Sequence, residues 1–145
     1  MKVNQGIFLM LLSFMSVQGK SFSQETRQVV KITNLKKIKG RLNIGWYKEA
    51  ITFTENDKTI YREKIEVNDQ TEISVLFKNI PKGKYAIAVF LDENNNHKLD
   101  KNFLGIPKEK YGFSNNIIPT FRAATFEESS FELKQPETEI IIKLK

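Results

Sequence analysis

The sequence predicts an all-β fold, a single antiparallel β-sandwich of about seven strands. Two observations predict it. Apolar and polar residues alternate with period two through most of residues 29–144, and period two places every second side chain on one face of a strand. Turn-forming pairs and triplets interrupt the alternation, at Asn56-Asp57, Asn68-Asp69, Pro81-Lys82-Gly83 and Gln135-Pro136, which is the punctuation of short strands folded back on one another.

The strands follow in order. Val30 and Ile32 share one face of a first strand ending near Thr33. Leu42, Ile44 and Trp46 share a face of a second, beyond a basic turn at Gly40. A weaker third covers Thr59 to Val67, with Tyr61, Ile65 and Val67 inward. Ile73, Val75 and Phe77 make a fourth, with Glu72, Ser74 and Lys78 on its other side. The fifth carries Tyr85, Ile87, Val89 and Leu91 on one face and Ala86, Ala88 and Phe90 on the other, so it is expected to be central and covered twice. Phe131 and Leu133 suggest a short sixth, and Ile140, Ile142 and Leu144 close the chain with a seventh. The one helical pattern is Thr125-Phe126-Glu127-Glu128, a capping box able to start a single turn. Trp46 is expected in the core, and Tyr47, pointing the other way, on the surface.

At the N-terminus Lys2 precedes an apolar run from Ile7 to Val17, followed by small residues suited to cleavage. The run falls short of the ~20 residues a membrane span needs, so residues 1–23 are expected to be a secretory signal and residues 24–145 the domain. An exported chain of this size often uses disulfides, yet this one has no cysteine, so packing must hold it. Losing Lys2 and Lys20 lowers the formal charge from +6 to +4. The remaining cations are scattered apart from Lys36, Lys37, Lys39 and Arg41 around the Gly40 turn. That group is a solvated hairpin end rather than the basic stripe with interleaved aromatics that nucleic acid requires.

The segment from Leu91 to Asn116, LDENNNHKLDKNFLGIPKEKYGFSNN, suits neither helix nor strand. Asp92, Asn94, Asn96 and Asp100 carry side-chain oxygens at offsets 1, 3, 5 and 9, and the Lys98 carbonyl lies at offset 7. A chain curling around a hard cation presents every second side chain inward, so this set is a candidate calcium loop. His97 stands at offset 6 where calcium loops of the EF-hand type use glycine, and Phe103 at offset 12 where they use glutamate. Asn102 and Glu109 are further candidate ligands. Two carboxylates imply weak affinity, about 10⁻⁴–10⁻³ M. The alternative is a metal-free turn whose asparagines cap their own backbone. The single histidine, His97, and the lack of thiols argue against zinc. Downstream, Leu104, Ile106, Tyr111 and Phe113 are expected to bury an Ω-like excursion against one end of the sandwich. Tyr111, Phe113 and Asn115 are the candidate ligand-binding residues.

The run P-K-G-K-Y-A-I-A-V-F-L-D, then D-x-N-x-N-x-x-L-D, then F-L-G-I-P-K-E-x-Y-G-F-S-N-N, closely resembles a bacterial domain of unknown function, number 2141 in its series. The resemblance spans about Val29 to Leu144 and is most specific from Pro81 to Asn116; His97 departs from it, family members usually carrying glycine there. It implies a small exported protein, common in Bacteroidetes and proteobacteria, with no assigned activity or catalytic residue. The Pro-x-Gly-x-Tyr opening of the fifth strand is also similar to transthyretin-like and carboxypeptidase-regulatory-like sandwiches, which implies an immunoglobulin-like or transthyretin-like architecture and speaks to fold only.

The functional expectation is a non-catalytic binding or structural module, exported to the periplasm, outer surface or medium. It would carry calcium at one end, meet a cell-envelope or extracellular partner, bind no nucleic acid and have no membrane span in the mature chain. The alternatives are a carbohydrate-binding module, for which Tyr47 and Tyr111 would have to form a flat platform, and a small hydrolase. A lone histidine in a turn offers little to triad chemistry, though Asp92 with Asp100 could act as acid and base.

Overall fold

The computed structural model describes residues 26–36 and 38–145; the expected signal segment, residues 1–23, and Lys37 of the basic turn lie outside the described residues. Among the described residues eight strands form two packed sheets. They are β1 (Arg27–Thr33), β2 (Gly40–Tyr47), β3 (Tyr61–Val67), β4 (Glu72–Lys78), β5 (Gly83–Asp92), β6 (Tyr111–Phe113), β7 (Ser130–Leu133) and β8 (Glu137–Lys143). The smaller sheet has the order β4-β1-β8 and the larger β3-β2-β5-β6, with β7 also paired to β5. A helix of one turn, α1 (Phe126–Ser129), precedes β7. Thr125 caps it as expected: its Oγ1 accepts from the Glu128 amide, and the Glu128 carboxylate accepts from the Thr125 amide.

The expected sandwich stands, with two additions. The first and last strands run parallel, Val30 opposite Ile140 and Ile32 opposite Ile142; all other paired strands are antiparallel. A short eighth strand, β6, pairs with β5 beyond the expected set. At its centre Gly112 faces the opposite sheet, where a Cβ would lie 3.0 Å from Ile142 Cγ2 and 3.0 Å from the Lys143 carbonyl oxygen. Glycine therefore lets β6 close against β8, and the Lys145 amide donates to the Tyr111 carbonyl across that contact.

Between the sheets lies a continuous core of Val30, Ile32, Leu42, Ile44, Trp46 and their neighbours. Trp46 is fully buried and meets the rings of Phe77, Tyr85 and Phe131 at 5.4–5.7 Å. The Pro-x-Gly-x-Tyr opening of β5 has a mechanical reason. Tyr85 buries its ring in the core while its hydroxyl donates to the Pro81 carbonyl at 2.9 Å, tying the strand start to the turn before it.

As expected, β5 is central and covered on both faces. Its outer face carries a second apolar cluster of Tyr47, Ala86 and Phe126, with Phe53 and Ala88 packed against it. This corrects the expectation for Tyr47, which is 1% exposed rather than a surface residue. The short turns after β2 bring Phe53 to 5.3 Å from its ring and cover it.

Candidate functional site

Strand register determines what the outer face of the larger sheet presents. One cross-strand row reads Lys64, Asn43, Phe90, Tyr111 from β3 to β6, and the next reads Arg62, Gly45, Ala88, Phe113. Basic side chains therefore stand at the β3 edge and aromatic ones at the β6 edge, with Asn43, Gly45, Ala88 and Phe90 between them. Gly45 and Ala88 sit side by side at the centre; the Thr59 side chain and the Tyr47 ring close over Gly45, where a Cβ would lie 2.5 Å from Thr59 Cγ2, and the trough is left at Ala88. Three chain segments rise around it: residues 54–59, 97–107 and 119–123. The result is a cleft of about 510 Å³, within the ~300–1,000 Å³ range of small-molecule sites.

The first wall belongs to the asparagine loop. Asp92 ends β5 fully buried, and its two carboxylate oxygens accept from the Asn96 amide at 3.1 Å and the His97 amide at 2.8 Å. The Asn94 and Asn96 side-chain carbonyls accept from the backbone of Asn96 and Lys98. Their amide groups donate to the two oxygens of Asp100, at 2.6 and 2.9 Å. The loop thus brings Asp92, Asn94, Asn96 and Asp100 together, the side chains singled out by spacing. Asn95 and His97 hold positive φ, 59° and 67°, where a glycine would be easier. A fifth residue completes the device. Glu109, also buried, accepts from the Glu93 amide and the Asp100 amide, both at 2.9 Å, and so closes the loop at its two ends.

This oxygen-only donor set fits calcium in kind, because each acceptor oxygen keeps a second lone pair. Among the described residues no three His, Asp or Glu side chains gather as a ligand group; the Asp92–Asp100 set is half amide. His97, Lys98 and Leu99 line the cleft from this loop.

Residues 100–108 form a finger rather than a buried excursion. Leu104 is 68% and Ile106 49% exposed, contrary to the expectation that they bury. Polar bonds hold the finger instead: the Asn102 side chain accepts from the Leu104 and Ile106 amides, and the Lys108 amide donates to the Asp100 carbonyl. Leu104 and Ile106 are thereby free to line the cleft. The third segment is anchored by Arg122, whose guanidinium meets the Glu128 carboxylate twice at 2.7 Å. That bond first, and the Thr125 amide second, hold the Glu128 carboxyl down at about 2.

Tyr111 and Phe113 both border the cleft. Their rings meet at 70°, and Phe113 is buried against Phe53. They do not form the flat face that stacking on a sugar needs. Asn115 stands apart, its amide donating to the Glu128 and Ser130 carbonyls, where it ties the turn after β6 to α1 and β7. Arg62, Lys64 and Phe121 are cleft residues that the sequence reading did not single out. The alternation in β3 places Arg62 and Lys64 outward, but only strand order shows that they share a surface with Phe90.

Neither the curated proteins nor the solved structures contain a match to this chain. A family model matches residues 30–141. The chain belongs to that family, described as an uncharacterized protein conserved in bacteria and designated DUF2141.

Proposed function

We propose that the protein is an exported, non-catalytic binding module whose ligand site is the cleft on the outer face of the larger sheet. The observation that carries this reading is the cleft of about 510 Å³ over Ala88. A central sheet position that is small, flanked by Phe90 and Phe113 and walled by three chain segments, is built to receive something. Export rests on the apolar run after Lys2.

In this reading the asparagine loop is the scaffold of one wall. Calcium held by Asp92, Asn94, Asn96, Asp100 and the Lys98 carbonyl would stiffen that wall and fix the orientation of His97 and Leu99. The ion's role is structural, consistent with the weak affinity expected from two carboxylates.

Amide chemical-shift mapping with a mixed panel of aliphatic acids, oligosaccharides and short peptides tests the reading. Binders should perturb Asn43, Gly45, Ala88, Phe90 and Tyr111 together. Perturbations confined to the β4-β1-β8 sheet would refute it.

A further inference from the structure

The walls and rim of the cleft specify a chemistry, and we infer that its ligand is a free single-chain amphiphile with an anionic head, of the fatty-carboxylate class. This rests on the cleft being the binding site and names what it binds.

Charge is the first argument. Arg62, Lys64, Lys98, Lys101 and Arg122 border the cleft against one carboxylate, Asp57. Asp57 already lies 3.6 Å from Lys58, and Arg122 is engaged by Glu128. Among the described residues the other four cations have no carboxylate within ion-pair distance. Arg62 donates only to the neutral Thr59 hydroxyl, at 3.0 Å, so an anion entering there meets cations with no competing carboxylate, in a concave site where their fields add.

Shape is the second argument. The two registered rows set two of these cations apart from the apolar surface: Arg62 and Lys64 at the β3 edge, then Gly45 and Asn43, then Ala88 and Phe90, then Phe113 and Tyr111 at the β6 edge. Three interstrand spacings of ~4.8 Å place the two ends about 14 Å apart. Leu104, Ile106 and Phe121 also line the cleft, and Phe121 is 95% exposed. A head at Arg62 and Lys64 with an alkyl chain along Phe90 to Tyr111 would cover them.

The test is calorimetric titration of the purified protein with dodecanoate below its micelle concentration, alongside dodecyltrimethylammonium and vesicles of anionic phospholipid. The same amide-shift map locates the site. Dodecanoate is expected to bind with shifts at Ala88 and Phe90, and the cationic amphiphile at least about tenfold more weakly. The double variant Arg62→Gln/Lys64→Gln should lose about tenfold for dodecanoate, roughly one charge-assisted hydrogen bond. Both side chains are exposed, so an unchanged unfolding midpoint will show that the variant folds. Equal binding of the cation, or an unaffected double variant, would overturn the inference. So would binding to vesicles without binding of monomeric dodecanoate, which would make the surface a membrane-docking face. If another class from the panel maps to the cleft while dodecanoate does not, the inference fails and the site stands. If nothing maps there, both fail.

Discussion

Replacing Glu109 by alanine removes the acceptor of two backbone N–H groups at opposite ends of the asparagine loop, those of Glu93 and Asp100, each at 2.9 Å. A hydrogen bond to a charged group contributes about 1.5–3 kcal/mol. Both bonds are only part-buried, so water will recover some of each in the variant. The expected loss is about 2–4 kcal/mol, a large share of the ~5–15 kcal/mol by which a domain is stable. Glu109→Gln keeps one acceptor oxygen and should cost about half as much. Urea unfolding gives the totals, and hydrogen exchange supplies the local readout. The amides of Glu93 and Asp100 should lose protection beyond the global change, while those of β1 and β4 follow the global change alone. If both variants lie within about 0.5 kcal/mol of the parent, or if those two amides exchange at parental rates, the clamp does not exist.

Further outcomes follow from the same geometry. Gly112→Val should destabilise by about 1–3 kcal/mol through overpacking on Ile142 and the Lys143 carbonyl, measured by the same unfolding. Burial pushes the Tyr47 phenol up to about 12 from an ordinary 10. The folded state holds that proton more tightly, so its contribution to stability is intact below pH 10 and lost as pH rises through about 12. Among the four tyrosines, an ultraviolet titration should find Tyr47 among the last to ionise. Glu128 has the opposite sign. Its folded value is depressed from 4.5 to about 2, so its contribution is present above pH 4.5 and lost as pH falls through about 2. Arg122→Gln should move its carboxyl resonance titration back up. Calcium at ten times its dissociation constant should raise stability by about 1.4 kcal/mol over chelator, and Asp100→Asn should diminish that rise; a parental response in the variant would remove Asp100 from the ligand set.

Much of the fold was legible because alternation reports which face of a strand is apolar. The double-sided pattern of β5 identified the centre of the larger sheet, and the Thr125 capping box identified α1. What escaped depends on contacts between distant segments. Tyr-Gly-Phe at 111–113 is too short to show a period, and its glycine reads as a turn until β8 is seen packed against it. Tyr47 points outward from the core as expected, but alternation cannot tell a solvated outer face from one covered by Phe53. At the asparagine loop, spacing found the converging side chains. It did not reveal that the free ends are closed by Glu109, sixteen residues beyond Glu93. The cleft itself belongs to strand order: Lys64, Phe90 and Tyr111 are far apart in sequence and become one surface only through the pairing of four strands.

The central claim is that the outer-face trough is a binding site, and filling it is the most direct test. Ala88→Trp puts an indole into the trough at its centre. With a ligand that shifts the Phe90 and Tyr111 amides of the parent, the account predicts that a folded Ala88→Trp protein shows neither binding nor those shifts. Undiminished affinity in that variant would contradict it.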